Sequence, residues 1–335
     1  MFIIQHPPEK SMKNISQLQE IIAEGVNSLA FGNRPENLYE PITYILSLGG
    51  KRLRPALALL SYQLSGKDPS DILRPALAVE VFHNFTLMHD DIMDEAPIRR
   101  GQPTVHEKWN QTVAILSGDT MLVKAYDLLL ESKPEDLAEV IRRFNTTATE
   151  VCEGQQIDMN YEERETVSEK EYLEMIRLKT AVLLGFSMEL GGVLARVSKE
   201  QASLLYEVGE NMGIGFQLMD DYLDVYADAA KFGKQVGGDI ISNKKTYLLI
   251  NALSRADQRQ KAELDSWLSK DQFHHEEKVR AVMGIYDEIG IPKLTRNKMN
   301  AYFDKAFALM DQLEGTAEAK EELETFTKKL MKRDR

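Results

Sequence analysis

Almost every long segment of this 335-residue chain repeats its apolar residues at the spacing of an α-helix. The strongest example is 71–94, where apolar residues occupy more than one face of the predicted helix. Such a helix has no side that suits contact with water, so we predict that it lies at the centre of the fold. We find no convincing strand alternation. The sequence therefore predicts an all-α fold, a single-domain helical bundle with a central cavity between its helices.

The apolar fraction of 43% is sufficient for a large core, and we find neither a low-complexity linker nor a solenoid repeat. We therefore expect one domain over residues 1–335, with 1–10 as a loose N-terminal arm. Three pairs have the spacing of helix capping boxes: Thr104 with Glu107, Ser168 with Glu171, and Ser198 with Gln201. Helices are therefore expected to begin beside Thr104, Ser168 and Ser198.

The net charge of −12 argues against a nucleic-acid partner, because such binding depends on neutralising phosphates with Lys and Arg. A single cysteine, Cys152, fits a reducing compartment. The first residues do not resemble a signal peptide, and no run of about 18 apolar residues suggests a membrane span. We expect a soluble, cytoplasmic protein with no membrane span.

Two clusters of aspartates each follow an apolar helical segment: Asp90, Asp91 and Asp94 in the first, and Asp220, Asp221 and Asp224 in the second. Asp90 and Asp94 lie one turn apart on the same helix face, where like charges repel by a few tenths of a kcal/mol. One such cluster would usually be a solvated surface. Two of them, each beside apolar sequence, indicate that the chain holds a cation.

Basic residues accompany the clusters: Arg99 and Arg100 follow the first, Lys234 and Lys244 follow the second, Lys51 and Arg54 occur early in the chain, and Lys179 in mid-chain. Carboxylates alone repel a phosphate, whereas carboxylates that hold Mg²⁺ attract it, because the ion is shared between both sets of oxygens. Arginine and lysine side chains can bind the remaining phosphate oxygens. These residue types predict a site for a diphosphate ester, and the apolar helices beside it predict a pocket for a hydrocarbon tail.

Seven separated motifs, in order, resemble those of the trans-isoprenyl diphosphate synthase (polyprenyl synthetase) family. They are Gly-Gly-Lys-Arg-Leu-Arg-Pro (49–55), His-Asp-Asp-Ile-Met-Asp (89–94), Arg-Arg-Gly (99–101), Gly-Gln-Gln-Ile-Asp (154–158), Lys-Thr (179–180), Gly-Phe-Gln-Leu-Met-Asp-Asp-Tyr-Leu-Asp (215–224) and Phe-Gly-Lys-Gln-Val-Gly-Gly-Asp (232–239). The resemblance covers about residues 38–253 and implies the isoprenoid synthase type of helical bundle.

The resemblance implies a head-to-tail condensation of isopentenyl diphosphate with an allylic diphosphate (dimethylallyl, geranyl or farnesyl), with release of inorganic diphosphate. It implies about three Mg²⁺ ions per active site and a homodimer. By the same resemblance, the metal is held by Asp90, Asp94 and Asp220, with Asp91, Asp221 and Asp224 as further catalytic residues of the clusters.

The resemblance also assigns the remaining site residues. Isopentenyl diphosphate would be bound by Lys51, Arg54, His83 and Arg100. The allylic diphosphate would be bound by Arg99, Lys179, Thr180, Gln217, Lys234 and Lys244. Lys179, Thr180 and Gln217 are also expected to be catalytic, Thr180 and Gln217 by turning oxygen dipoles toward an allylic carbocation.

Product length is expected to depend on Phe85 and Thr86, which in the family form the floor of the tail pocket. Thr86 lies one turn before Asp90, and Phe85 flanks it. The large ring of Phe85 favours a short product, while Thr86 is smaller than the second aromatic residue of some farnesyl-forming members. We expect geranylgeranyl diphosphate (C20), with farnesyl diphosphate (C15) as the next candidate.

Two other functions fit part of the pattern. A class I terpene cyclase shares the first acidic cluster, but cyclases usually carry an Asn/Ser/Glu metal motif where this chain has a second aspartate cluster. A non-catalytic partner subunit of a heteromeric prenyl synthase is the other alternative, although such partners tend to lose acidic residues. All six aspartates are present here.

Overall fold

The computed structural model describes residues 12–227 and 237–331. The described chain is 78% helical. Within the described ranges the strands are β1 (Ile98–Arg99) and β2 (Gln102–Pro103), which pair as one antiparallel hairpin. The prediction of an all-α fold is therefore confirmed. The expected N-terminal arm, residues 1–10, lies outside the described residues.

Contacts along the chain divide it into two compact units. The first unit comprises Met1–Phe144, Phe186–Leu205 and Leu313–Leu323, and the second comprises Asn145–Gly185, Tyr206–Gln312 and Glu324–Arg335. A grouping by contacts does not test whether the units fold together. One domain over residues 1–335 thus stays a prediction.

The first unit is built around one long buried helix. Its elements in chain order are α1 (Ile15–Asn27), α2 (Glu36–Ser47), α3 (Leu53–Gln63), a 3-10 turn (Pro69–Ile72), α4 (Leu73–Met93), the β1–β2 hairpin, α5 (Val105–Lys108) and α6 (Gln111–Leu129). Helix α4 is buried on several faces and packs most extensively against α6. The central position predicted for 71–94 is therefore correct within this unit, although its first residues form the 3-10 turn.

Four helices contribute residues to both units along the chain: α7 (Pro134–Glu163), α9 (Val182–Ala195), α10 (Lys199–Tyr226) and α16 (Ala317–Met331). The other described helices of the second unit are α8 (Glu169–Ile176), α11 (Gly238–Ile241), α12 (Tyr247–Arg255), α13 (Gln258–Leu268), α14 (His275–Ile289) and α15 (Ile291–Met310). Tyr161, Tyr172, Leu218 and Tyr247 belong to one buried apolar cluster of this unit.

A π-helical turn, Arg177–Ala181, joins α8 to α9, so that Glu169–Ala195 runs as one continuous helix. Among the described residues, this is the one helix long and apolar enough to cross a membrane by length and composition. Its most apolar stretch is 83% buried inside the protein. Such burial is typical of a core helix, which also has the apolar composition of a membrane span.

The three capping predictions have different outcomes. Gln201 N donates to the Ser198 hydroxyl over 3.2 Å, which is one half of the predicted box. Ser168 caps α8 with a complete capping box, in which Glu171 N donates to the Ser168 hydroxyl and Ser168 N donates to the Glu171 carboxylate. Thr104 stands at the N-cap of α5 but makes no side-chain cap, and its buried hydroxyl has no hydrogen-bond partner. The box predicted for Thr104 and Glu107 is therefore wrong.

Candidate active site

The first aspartate cluster lies at the C-terminal end of α4. Asp90 is half-buried in the last turn, and Asp94 is the exposed C-cap residue, whose amide donates to the Asp90 carbonyl over 2.8 Å. Asp91 is only 2% exposed. The three carboxylates of this cluster therefore have three different environments, and Asp90 and Asp94 are the two that reach water.

Asp91 binds Arg99 of the β1–β2 hairpin. Arg99 Nε donates to Asp91 Oδ1 and Oδ2 over 2.9 and 2.8 Å, and Arg99 Nη2 lies 2.7 Å from Oδ1. The planar guanidinium donates to both oxygens of one carboxylate, a geometry that a lysine could not reproduce. The pair fixes the hairpin against the end of α4 and explains why the buried Asp91 charge is tolerated.

The double glycine before α3 makes room for Arg100. Gly49 and Gly50 have φ values of +78° and +135°, which side-chain-bearing residues rarely adopt. Arg100 Nη1 donates to the Gly49 carbonyl, and a Cβ atom on Gly50 would lie 2.9 Å from that same nitrogen. Lys51 follows as an exposed residue whose carbonyl accepts from Gln19 Nε2 over 2.8 Å.

Arg52, which the sequence analysis passed over, holds the segment between Lys51 and Arg54. It has a left-handed backbone with φ +48° at the N-cap of α3. Its guanidinium donates to the Leu46 carbonyl and to the carboxylate of Glu80, a residue only 3% exposed. Asn84 Nδ2 also donates to Glu80 Oε1, over 2.9 Å. Arg52 thus anchors this basic segment to α4.

His83 and Arg54 are in direct contact, with 3.0 Å between His83 Nε2 and Arg54 Nη1. Desolvation of the half-buried ring, followed by the positive charge of Arg54, holds the pKa of His83 well below its usual value. The imidazole is therefore neutral, with Nε2 accepting from Arg54. A neutral His83 can orient the guanidinium without adding charge.

The residues predicted to form the pocket floor lie one turn before Asp90. Phe85 is 9% exposed and packs against Phe82, with 5.6 Å between ring centroids. The half-buried Thr86 donates its hydroxyl to the His83 carbonyl over 2.8 Å. The ring of Phe85 thus belongs to a packed aromatic cluster.

The second cluster lies near the C-terminal end of α10, where Asp220 and Asp224 are half-buried and Asp221 is 5% exposed. Both oxygens of Asp221 have protein donors: Tyr172 OH donates to Oδ2, and Gln217 Nε2 donates to Oδ1 over 3.1 Å. Burial raises the pKa of Asp221, although these hydrogen bonds act in the opposite direction. Asp221 is therefore held by neutral groups.

The hydrogen-bond chain continues from Gln217 to the π turn. Thr180 donates its hydroxyl to Gln217 Oε1 over 3.1 Å. The π turn contains both Thr180 and Lys179, and such turns are frequent at functional sites because they redirect side chains within a helix. The amide of Gln217 is thus oriented from both ends, by Thr180 and by Asp221.

Lys179 Nζ lies 2.6 Å from Asp158 Oδ2, and both side chains are partly buried. The approach of α7 to the π turn requires Gly154, because a Cβ atom there would lie 2.6 Å from Lys179 Cα and closer still to its amide nitrogen. The glycine and the aspartate of the 154–158 motif therefore both serve to position Lys179.

Asp224 is crowded by a further carboxylate, Asp239 of α11. The amide of Asp239 donates to Asp224 Oδ2 over 2.9 Å. Burial and then the charge of Asp224 raise the pKa of Asp239 to about 7, and the charge of exposed Lys244 opposes this. Lys234, also predicted to bind the allylic diphosphate, lies outside the described residues.

These donor sets fit a magnesium ion that is shared with a phosphate. Within the described parts of either unit, no three His, Cys, Asp or Glu side chains are grouped closely enough to hold a metal by themselves. Mg²⁺ commonly takes one or two carboxylates and completes its octahedron with water and substrate phosphates. The repulsion at Asp224 and Asp239 is the kind that a nearby divalent cation relieves.

Residues 35–286 match the family model described as polyprenyl synthetase. The chain belongs to the polyprenyl synthetase family. Its motifs and its all-α fold agree with this membership, and the enzyme is a prenyltransferase.

Several known proteins align with most of the length of this polyprenyl synthetase. It is 45% identical over 224 residues to the geranylgeranyl diphosphate synthase of Methanosarcina mazei, covering 66% of this chain and 69% of that protein. It is 37% identical to the geranylgeranyl pyrophosphate synthase of Geoglobus acetivorans, covering 87% of this chain and 90% of the other. A crystal structure of a geranylgeranyl pyrophosphate synthase matches with a TM-score of 0.92 at 42% identity, covering 96% and 99% of the two chains.

Within each unit of the synthetase, several predicted residues come together. Asp91 contacts Arg99, and Arg54 contacts His83, in the first unit. Thr180, Gln217 and Asp221 form one chain of hydrogen bonds in the second. The assignment of all these residues to substrate or metal stays a prediction.

Sequence reasoning missed two polar residues of the second unit. Tyr172 lies on α8, seven residues before Lys179, and nothing in its local sequence marked it as the donor to Asp221. Asp239 ends the quoted 232–239 motif but received no role. Its motif position, in a segment that also carries Lys234, was the signal that could have found it.

Proposed function

We propose that this prenyltransferase condenses isopentenyl diphosphate with an allylic diphosphate, head to tail, and releases inorganic diphosphate. The observation that carries the proposal is the pair of aspartate clusters, each fixed by its central aspartate, in a chain that belongs to the polyprenyl synthetase family. The names of the relatives from Methanosarcina mazei and Geoglobus acetivorans support geranylgeranyl diphosphate (C20) as the product. Farnesyl diphosphate (C15) is the next candidate.

We assign metal binding to Asp90, Asp94 and Asp220, with about three Mg²⁺ ions at the site. When bound, Mg²⁺ neutralises negative charge on the leaving diphosphate. Asp91 and Asp221, whose oxygens already accept hydrogen bonds from Arg99, Tyr172 and Gln217, would act by positioning. Asp224 would support metal binding by Asp220. It also accepts the hydrogen bond that links it to the amide of Asp239.

The allylic diphosphate would be bound by cationic side chains that the protein already holds in place: Arg99 by Asp91 and Lys179 by Asp158. Lys234 and Lys244 complete this set. Because these charges are fixed before the substrate arrives, little reorganisation accompanies the build-up of charge on the leaving group.

Isopentenyl diphosphate would be bound by Lys51, Arg54, His83 and Arg100. The neutral His83 orients Arg54, and the Gly49 carbonyl orients Arg100. In the reaction the allylic C–O bond breaks, and the double bond of isopentenyl diphosphate attacks the resulting carbocation. The oxygens of Thr180 and Gln217 would stabilise that cation by their dipoles, and the departing diphosphate would take the final proton.

A product assay tests this function. The purified protein is incubated with Mg²⁺, labelled isopentenyl diphosphate and, separately, dimethylallyl, geranyl or farnesyl diphosphate. We expect extension of each primer to C20. A cyclic hydrocarbon formed from a primer alone would indicate a terpene cyclase. Inertness until a second, different chain is added would indicate a non-catalytic partner subunit. The comparisons favour neither alternative.

We also propose that the protein is a homodimer. Helix α6 and its C-cap residue Leu130 expose four apolar side chains. Leu116, Val123 and Leu130 recur every seventh residue along one face, with Ile115 beside them. An exposed apolar row of this kind suits packing against a second helix. Sedimentation of Val123→Glu should give a monomer where the wild type gives a dimer, and a monomeric wild type would contradict the proposal.

We propose a cytoplasmic location with no membrane span and no nucleic-acid partner. The burial of helix Glu169–Ala195 in the protein core supports the absence of a membrane span there. Fractionation of cells that express the tagged chain should recover it in the soluble fraction, and recovery in washed membranes would contradict the proposal.

A further inference from the structure

Phe85 has two ring neighbours, one on each side along α4. Phe82, 1% exposed, is itself packed against Phe144, with 5.1 Å between ring centroids. On the other side the imidazole of His89 meets Phe85 edge-on, with centroids 4.8 Å apart and an interplanar angle of 66°. Phe82 is confined by its neighbours, so the position of the Phe85 ring depends on the ring at position 89 and on the space that ring occupies.

His89 is held by α6, the helix against which α4 packs. Its Nε2 lies 3.2 Å from the Ile115 carbonyl, which requires that nitrogen to carry the proton and donate. Gly118 provides the space, because a Cβ atom there would lie 2.6 Å from His89 Cδ2 and closer still to Nε2. The absence of a side chain at position 118 therefore allows the imidazole to occupy its place beside Phe85.

We propose that His89, seated over Gly118, is a specificity-determining residue that fixes the ring of Phe85 and thereby sets product length. The inference rests on the proposed function, in which Phe85 forms the floor of the tail pocket. Neither His89 nor Gly118 contacts the substrate in this account. Both act by limiting where the Phe85 ring can go as the hydrocarbon chain lengthens.

The charge of the imidazole is not required for this role. The nearest carboxylate is that of Asp119, 4.0 Å from His89 Nε2 and 63% exposed, so solvent screens the interaction. Contact between the two rings is the part that constrains Phe85, since edge-to-face aromatic pairs have a preferred geometry. A different aromatic ring at position 89 should therefore retain the product length.

The experiment measures product chain lengths under single-turnover and steady-state conditions for His89→Ala and Gly118→Ala. Alanine at position 118 displaces the flexible imidazole rather than a backbone atom, so the fold should tolerate it. Each variant should raise the ratio of C25 to C20 product by about threefold to tenfold, the range expected for loss of one aromatic pair. Phe85→Ala should raise it further.

Two matched controls separate this effect from general loosening. Gly192→Ala also forces a Cβ atom against a flexible side-chain tip, 2.6 Å from Leu205 Cδ1, at another buried helical glycine. It should lower stability without changing product length. His89→Phe, which keeps a ring but loses the donor to Ile115, should retain the C20 product.

The double variant Phe85→Ala/Gly118→Ala should give the product distribution of Phe85→Ala alone, because Gly118 acts only through that ring. If Phe85→Ala lengthens the product while His89→Ala and Gly118→Ala leave it unchanged, the inference fails and the floor role of Phe85 stands. An unchanged product in Phe85→Ala would instead remove Phe85 from the proposed function.

Discussion

The two aspartate clusters have the same sequence pattern, but different chemistry holds the central aspartate of each. In the first, the buried Asp91 is paired with the cation Arg99, a predicted substrate ligand. In the second, the buried Asp221 accepts from two neutral donors, Tyr172 and Gln217. The first cluster is therefore paired by charge with a predicted substrate ligand, and the second orients the amide of Gln217. The comparison shows that the central aspartate of each Asp-Asp-x-x-Asp cluster is an anchor, while the outer aspartates are the proposed metal ligands.

Substitution of the outer aspartates should have the largest effect on activity, since they alone are expected to bind metal. Asp90→Asn and Asp220→Asn should each lower kcat/KM by about 100- to 1,000-fold, the scale of losing a preorganised electrostatic contact in the transition state. Steady-state kinetics at saturating Mg²⁺ would measure this, with the exposed Asp265→Asn on α13 as a matched control that keeps full activity. Activity near that of the wild type in either variant would contradict the assignment.

Arg99→Leu should destabilise the protein more than Tyr172→Phe, because it leaves the buried Asp91 charge unpaired. The expected loss is about 3–5 kcal/mol in the free energy of unfolding, measured by urea denaturation. Replacing both partners, as in Asp91→Asn/Arg99→Leu, should recover part of that loss. A double variant no more stable than Arg99→Leu would show that the loss of stability does not come from the unpaired Asp91 charge.

Tyr172→Phe removes a single neutral donor, so its expected loss of stability is about 1.5–3 kcal/mol. Because Asp221 then orients Gln217 less firmly, kcat should fall while KM for the allylic diphosphate changes little. Tyr222→Phe, on the same helix as Asp221 and half-buried, is a matched control that should keep both parameters. A fall in stability with kcat unchanged would assign Tyr172 to packing alone.

The crowding at Asp239 should give a pH-dependent effect on the second cluster. Burial and Asp224 raise the pKa of Asp239 to about 7, above the ~3.9 of an unfolded aspartate. Between these values the native state retains a proton that the unfolded state has lost, so this group lowers stability as pH rises. Asp221 adds to the repulsion, and Lys244 opposes it.

Asp239→Asn should therefore lack this decline, with a difference from the wild type of about 4 kcal/mol at most across that window, since one pKa unit corresponds to about 1.4 kcal/mol. Urea unfolding from pH 4 to pH 8, in a buffer free of divalent cations, would measure it. Added Mg²⁺ should reduce the difference by stabilising the ionised carboxylates. Parallel pH profiles for the two proteins would contradict the raised pKa.

The sequence predicted the helices well because their apolar periodicity is strong, as in the segment that became α4. It could not predict the short hairpin at Arg99, since two-residue strands carry no alternation. Nor could it show that the Thr104 side chain does not cap α5, because capping depends on where the Thr104 hydroxyl points. Local spacing fixes local structure, whereas side-chain direction depends on packing.

The residue types of the candidate site were predictable, but their partners were not. Asp91 and Asp221 occupy equivalent motif positions, so no local pattern indicates that one pairs with Arg99 and the other with Tyr172. Both partners come from other elements, the hairpin and α8, whose positions depend on tertiary packing. For the same reason, the contacts of His89 with Phe85 and Gly118 could not be predicted from the sequence.

The most direct test of the central proposal, that both aspartate clusters hold one magnesium-bound diphosphate, is a double-mutant cycle for binding. Calorimetry would measure the Mg²⁺-dependent affinity of a non-reactive allylic diphosphate analogue in the wild type, Asp90→Asn, Asp220→Asn and the double variant. If both clusters hold the same group, each single change should abolish most of the Mg²⁺-dependent affinity, and the second change should add little. Fully additive losses would show that the clusters act at separate sites and would contradict the account.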